Sequence, residues 1–210
     1  MIKGVIFDLD GVIVHTDNFH YLAWKSLADS LGIYFDEKIN NRCRGVSRMD
    51  SLEIVLGDKS SNYTQQQKLD FAQQKNDIYR SLLGQLTPQS VSSDVLQCID
   101  GLKSKGIRIA IGSSSKNTKY ILQRLGIIDC FDAIVDGNDI THSKPHPEVF
   151  VKAAQALGLP EKDCMVVEDA FAGIDAALAG GFTAVAIGEA TNHPNKHFAI
   201  NTLSDLLAIL

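Results

Sequence analysis

The chain has 210 residues, 45% of them hydrophobic and 21% charged, an ordinary globular composition long enough for one substantial core or a core with a small insert. Its 20 basic and 25 acidic side chains give a net charge of -5, so no basic field argues for nucleic acid, although a few placed cations can still hold phosphate. No apolar run approaches the roughly 18 residues of a membrane span, and the chain opens directly into a strand rather than a signal peptide, so a soluble cytoplasmic protein with no membrane partner is expected. The cysteines Cys43, Cys98, Cys130 and Cys164 are scattered and lack CxxC spacing, as expected of reduced thiols that hold no metal.

Val5-Ile6-Phe7 reads as a short strand buried on both faces, which stops on Asp8-Leu9-Asp10-Gly11. Side chains alternate along extended backbone, so Asp8 and Asp10 start on one side, and Gly11 permits a sharp turn after them. Two carboxylates at the carboxyl end of a strand repel unless a cation or a shared proton compensates. Mg²⁺ is the natural cation for oxygen ligands, and capping of the following turn is the alternative role for either acid.

Next, Phe19, Leu22, Ala23, Leu27 and Leu31 recur at helical spacing until Gly32. His20 and Trp24, four apart, share one face of that helix, where core packing accounts for Trp24. Ser47-Arg48-Met49-Asp50 resembles a capping box that opens a helix carrying Leu52, Val55 and Leu56. The N–H groups freed at this helix start, after Gly45-Val46, favour an anion, and Arg48 in the first turn opposes the helix dipole unless one is near. Thr64 to Gln67 is a second capping box, opening a long helix to about Leu83. Phe71, Lys75, Ile78 and Leu82 fall on one stripe of it, where the Lys75 ammonium needs a partner or must snorkel outward.

From Pro88 onward, helices and strands alternate as in βαβ units. A helix with Val95, Ile99 and Leu102 leads to a strand over 107–111, a helix with Tyr120, Ile121 and Leu125, and a strand over 133–135. Pro147 suits the first turn of a helix carrying Val149, Phe150, Ala153 and Leu157. Strands over 164–167 and 183–187 flank a helix over 172–179, and a short strand near Phe198 precedes a last helix from about Leu203. A parallel crossover needs only one helix, so the all-helical stretch after the first strand is an insert. Residues 1–14 and 88–210 are therefore expected to form an α/β core with a parallel sheet, and 15–87 a helical cap that leaves the sheet beside Asp10, as a lid would.

Strand ends thus supply Asp8 and Asp10, Ser113 to Ser115, and Glu168 with Asp169, while Lys144 lies in a loop before a helix. Acids for a metal, a hydroxyl and a cation fit phosphoryl transfer, whose catalysis is mainly positioning and charge neutralisation. Asp8 could attack phosphorus, Asp10 shuttle a proton, Ser113 and Lys144 hold phosphoryl oxygens, and Asp8, Asp10, Glu168 and Asp169 bind Mg²⁺. Taken singly, Ser113 reads as a turn residue and Lys144 as a surface charge; their common location at the sheet edge raises them.

Asp8-Leu9-Asp10-Gly11, Ser113, Lys144-Pro145 and Glu168-Asp169 resemble, in order, the four motifs of the haloacid dehalogenase superfamily. The likeness narrows to its β-phosphoglucomutase branch on Phe7 to Ile13, His20 with Trp24, Gly45-Val46-Ser47-Arg48, Lys75-Asn76-Asp77 and Ser115-Lys116-Asn117. That resemblance implies a Rossmann-like core, a four-helix cap, one Mg²⁺, and interconversion of β-glucose 1-phosphate and glucose 6-phosphate through a bisphosphate. It makes Asp8 the nucleophile and Asp10 the general acid and base. Arg48, Ser115 and Asn117, with Lys116 alongside, would hold the non-transferring phosphate; Trp24, Gly45 and Val46 would line the sugar pocket, with Ser51 and Ser114 also on the substrate side. His20 and Lys75 would couple cap closure to Asp10.

A cap that closes on bound sugar phosphate excludes water, which a mutase requires and a phosphatase does not. Departures from the branch are His15 for an Asp at the hinge, Arg44 for a Lys, Ser93-Asp94 for Pro-Gly, and Ala170 for a Ser. A Mg²⁺-dependent sugar-phosphate phosphatase is the alternative reading, and a non-catalytic binding protein is disfavoured by the complete acid set. The expected partner is a small sugar phosphate, and a monomer leaves the cap free to move.

Overall fold

The computed structural model describes residues 1–210 throughout. The core is a six-stranded, wholly parallel sheet made of β1 (Gly4–Phe7), β2 (Arg108–Gly112), β3 (Ala133–Val135), β4 (Cys164–Glu168), β5 (Thr183–Ala186) and β6 (Phe198–Ala199), in the spatial order β3-β2-β1-β4-β5-β6. The expected α/β parallel sheet is thus present. β1 is buried along its whole length and lies between β2 and β4, with Phe7 level with Ile111 on one side and Val167 on the other. This register brings the chain after each strand, starting at Asp8, Ser113 and Glu168–Asp169, to one edge.

The period-two alternation of the strands divides the core by face. Val5, Phe7, Ile109, Ile111 and Val167 join a 28-residue cluster with α5 (Ser93–Ser104) and α6 (Thr118–Leu125). Ile6, Ala110, Val166 and Ala184 join an 18-residue cluster with α7 (Glu148–Ala156) and α8 (Phe171–Ala179). Burial on both faces is why these strands are continuously apolar in sequence.

Between β1 and α5 lie α1 (Asp17–Ser30), α2 (Glu37–Arg42), α3 (Arg48–Leu56) and α4 (Gln65–Leu83), with no strand among them. Trp24, Leu27, Phe35, Leu52, Val55 and Ala72 belong to a separate nine-residue cluster within this helical stretch. Ser47 caps α3 through the Asp50 N–H, and Thr64 and Gln67 make the reciprocal capping box of α4, as the sequence predicts. The inner sides of α1 and α4 also reach the sheet's cluster through Ala23, Tyr79 and Leu83.

Several expectations shift. The buried stripe of α4 is Ala72, Lys75, Asn76, Tyr79 and Leu83, one residue on from the Phe71, Ile78 and Leu82 set, which is only half-buried. Phe71 instead packs edge-on against Tyr63. On α1 the buried face is Ala23, Trp24, Leu27 and Ala28, and Leu22 is exposed. Pro147 stands just ahead of α7 rather than inside it, and the terminal helix, 203–208, is a 3₁₀ helix. Ser93-Asp94 acquires a purpose: Asp94 accepts from the backbone N–H of Leu203 at 2.7 Å and of Ser204 at 3.0 Å, tying the tail to the start of α5. All four cysteines are free thiols, Cys98 and Cys164 buried and Cys43 and Cys130 half-buried. No helix is long and apolar enough to cross a membrane.

Candidate active site

The carboxyl edge of the sheet and the four inserted helices enclose a cavity of about 1100 Å³. Asp8, Asp10, Ser113, Ser114, Ser115, Lys116, Asn117 and Asp169 face it from the sheet side, and His20, Trp24, Gly45, Val46, Arg48, Ser51 and Lys75 from the helices. Lys144 and Glu168 lie behind this wall. The candidate catalytic, metal and substrate residues are therefore gathered around this cavity, although the three strand ends and the Lys144 loop are far apart in the chain.

Lys144 is buried, and its Nζ donates to Asp8 Oδ1 at 2.5 Å and to Glu168 Oε1 at 2.6 Å, so it is not the surface charge it could have been. Burial opposes its charge, but the two carboxylates outweigh that and raise its pKa. Glu168 is held on its other oxygen by the Ala170 N–H at 2.9 Å. Asp8, Glu168 and Asp169 each place one carboxylate oxygen within 4.8 Å of the others, all three residues being buried. Burial first, then Glu168 and Asp8, push the Asp169 carboxyl up to about 8. Such crowding of buried oxygens is what a hard divalent cation relieves, so the donor set fits a metal of the Mg²⁺ kind.

Two glycines make the crowding possible. Gly11 has φ +85°, and a Cβ there would meet Asp169 Oδ2 at 2.0 Å. A Cβ at Gly173, in α8, would meet the Glu168 carboxyl carbon at 1.9 Å.

Asp10, expected as a fourth metal ligand, is not part of the converging set. Beyond the end of β1 the backbone turns, so strand alternation no longer fixes where its side chain goes: Gly11 N–H donates to Val14 at 2.7 Å. The Asp10 carboxylate instead accepts from the Thr16 hydroxyl and lies 3.9 Å from His20 Nε2. Tyr79 donates to Thr16 Oγ1 at 3.1 Å, which links α4 to Asp10. Enclosure in this recess, then the nearby Asp8 charge, push Asp10 up to about 7, close to the value suited to proton transfer at neutral pH.

Lys75, 3% exposed, donates to His20 Nδ1 at 2.9 Å and sits over the rings of Trp24 and Tyr79, 4.7 Å and 4.5 Å from their centroids. Burial, then Arg48, lower its pKa to about 7. Burial, then Lys75 and Arg48, hold His20 well below its usual range. Arg48 opens α3, where burial outweighs the pull of Asp77 and lowers its pKa, as for a guanidinium short of a counter-charge.

On the sheet side, Ser113 Oγ accepts from the Ser115 N–H and Ser115 Oγ from the Asn117 N–H, both at 3.2 Å, shaping the turn into α6. Contacts that join this side to the helices include Ser114 Oγ to the Gly45 carbonyl at 3.0 Å, Asn117 Nδ2 to Asn76 Oδ1 at 3.0 Å, and Arg44 to Asp169 Oδ2 at 2.5 Å. Ser51 donates to the Cys43 carbonyl at 3.4 Å, within the helices. His15 is exposed.

Sequence reasoning missed Thr16 and Tyr79, and named Asn76 only within the Lys75-Asn76-Asp77 motif, with no role of its own. Tyr79 is four residues after Lys75, and a correctly phased stripe would have exposed both it and Asn76; nothing local distinguishes Thr16. Arg44 stood out only as a departure, without its partner.

Against known proteins, the model of the haloacid dehalogenase-like hydrolases matches residues 2–181. A β-phosphoglucomutase of Bacillus subtilis is 40% identical over 206 residues, which is 97% of this chain and 91% of that protein. A fructose-1-phosphate phosphatase of Escherichia coli is 30% identical over 186 residues, 87% of this chain and 94% of its own. The crystal structure of a β-phosphoglucomutase from Clostridium difficile superposes with a TM-score of 0.93 at 37% identity, covering 98% of this chain and 93% of that one. The motif resemblance and the Rossmann-like sheet are both borne out, and the chain belongs to the haloacid dehalogenase-like hydrolase family.

Proposed function

We propose that the chain is a β-phosphoglucomutase, an isomerase that interconverts β-D-glucose 1-phosphate and glucose 6-phosphate through an aspartyl-phosphate and glucose 1,6-bisphosphate. The observation that carries this reading is that Asp10 is bonded by Thr16, which Tyr79 supports, and approached by His20, so groups of the inserted helices hold an acid of the sheet. Proton transfer is thereby tied to closure of the helices over the strand ends, the coupling by which a mutase keeps water from its phosphoenzyme. The full-length likeness to two β-phosphoglucomutases supports it.

Asp8 is the nucleophile. Lys144 neutralises it at rest and stays to bind a phosphoryl oxygen, together with Ser113. Asp10 takes the proton from the sugar 6-hydroxyl as that oxygen attacks the aspartyl-phosphate, which frees Asp8 and yields the bisphosphate. After the sugar reorients, Asp8 attacks the 1-phosphate, Asp10 returns the proton to O1, and glucose 6-phosphate leaves a rephosphorylated Asp8. Asp8, Glu168 and Asp169 would hold Mg²⁺, whose positive charge would offset the repulsion between carboxylate and phosphate. Arg48, Ser115, Lys116 and Asn117 hold the phosphate that is not reacting, at the N-termini of α3 and α6. Trp24, Gly45, Val46, Ser51 and Ser114 shape the sugar pocket, and His20 with Lys75 reports closure to Asp10.

In this reading residues 15–87 are the moving cap and 1–14 with 88–210 the core; a monomer leaves that motion unhindered. The doubly charged substrate does not cross a bilayer unaided, so the enzyme must share its compartment, which in this reading is the cytoplasm. Incubation with Mg²⁺, β-glucose 1-phosphate and a trace of the bisphosphate tests the reading. Glucose 6-phosphate is the expected product; release of free phosphate would instead mark a phosphatase, and no turnover of either kind would refute both. Asp10→Asn should lower turnover by about 10²–10⁴-fold while Mg²⁺ binding persists.

A further inference from the structure

A second cluster of metal-binding side chains lies at the rim of the cavity, apart from the acidic centre. His142 and His146 flank Ser143-Lys144-Pro145, and Glu148 is the first residue of α7. One ligand atom from each of the three lies within 4.8 Å of the other two. The sequence reading had no use for any of them, and the reaction proposed above does not need them.

The donors are arranged rather than merely close. Glu148 Oε1 accepts from Lys152 Nζ at 2.6 Å, and Oε2 from the His142 backbone N–H at 2.8 Å. These donors, Lys152 foremost, hold the carboxyl down to about 2, so it is a fixed anion. His142 Nδ1 stands 3.1 Å from Glu148 Oε2. His146 Nδ1 accepts a long bond from the Glu148 backbone N–H at 3.3 Å, which marks Nδ1 as the ring nitrogen with the lone pair and is weak enough for an ion to displace. The two rings are 4.6 Å apart at their centroids and tilted by 33°. His142 Nδ1 carries its ring proton toward the Glu148 carboxylate, and because both histidines are exposed that proton can move to Nε2 when Nδ1 ligates an ion.

We propose that His142, His146 and Glu148 form a second metal site, selective for a borderline divalent transition ion of the Zn²⁺ class. Two imidazoles and one carboxylate are the donor set that such ions prefer, with one position left open, whereas Mg²⁺ prefers oxygen ligands alone. On binding, the ion takes over the long hydrogen bond at His146 Nδ1 and the one between His142 and Glu148. The site then clips the loop of Lys144 to α7. Within that loop Ser143 Oγ donates to Asp50 Oδ2, next to α3's N-terminus, at 2.6 Å, so the clip also fixes a contact between sheet side and helices.

The test is calorimetric titration of the full-length, untagged protein with Zn²⁺ in saturating Mg²⁺. Uptake of a single equivalent is expected. His142→Ala and His146→Ala should each weaken it about tenfold or more, and Asp169→Asn, which disables only the acidic centre, should leave it unchanged. Thermal melts without Zn²⁺ verify that each variant folds, and the visible bands of a Co²⁺ adduct give a second readout that disappears with either histidine. Equal Zn²⁺ affinity in wild type and both histidine variants, loss of uptake in Asp169→Asn, or no uptake by wild type at micromolar Zn²⁺ would each overturn the proposal. None of these results depends on whether the mutase reaction occurs.

Discussion

Lys75→Met removes an ammonium from a nearly dry position while keeping the length of the side chain. In the folded protein burial lowers the Lys75 pKa to about 7, against 10.5 for an ordinary lysine. Between those values the unfolded chain holds a proton that the folded chain has released. Stability of the wild type therefore rises with pH there, by about 1.4 kcal/mol per pH unit, and the full cost at low pH is about 5 kcal/mol. Below the folded value both states are protonated and the dependence on this group ends. The variant lacks it altogether. From about pH 7 to about pH 9 the wild type should gain about 2–3 kcal/mol on Lys75→Met. Altered packing against Trp24 and Tyr79 offsets both ends of the comparison alike, so the change with pH reports the ammonium together with the shifts its removal causes in His20 and Asp10. Urea unfolding followed by circular dichroism, on both proteins across that range, measures it. A stability difference that does not move with pH would show that Lys75 is hydrated in the folded state, and its role in sensing closure would fall with it.

Other consequences are as direct. Lys144→Met leaves Asp8 facing Glu168 without the cation between them, and should cost about 3–5 kcal/mol in the metal-free protein; a melting temperature unchanged by the substitution in the presence of chelator would contradict the assigned ion pairs. Gly11→Ala combines a left-handed backbone with a collision on Asp169, so a loss of at least about 1–3 kcal/mol is expected, together with weakened Mg²⁺ binding in a calorimetric titration. Wild-type Mg²⁺ affinity in that variant would count against Asp169 as a ligand. Asp94→Ala frees two backbone N–H groups at the tail and should destabilise by about 1–3 kcal/mol, with early hydrogen exchange at Leu203 and Ser204 as its local signature.

The elements and the chemistry of the sheet edge were legible in the sequence because they rest on near neighbours. Strand burial shows as the unbroken Val5-Ile6-Phe7 run, and helix starts show as the Ser47 and Thr64 caps. Glycines mark the turns. The order of the acid, serine and lysine motifs then indicates phosphoryl-transfer chemistry before any geometry is known. What tertiary structure alone decided is the direction and partnership of individual side chains. Asp10 left the metal cluster for Thr16 because the backbone turns at Gly11. Lys75 met His20 across 55 residues and Arg44 met Asp169 across 125, contacts that no local pattern encodes. The stripe of α4 slipped by one residue because Tyr79, an aromatic with a polar tip, satisfies the buried hydroxyl of Thr16, whereas a purely apolar count favours Ile78 and Leu82. Periodicity records which residues avoid water, but not which polar groups must find one another once water is gone.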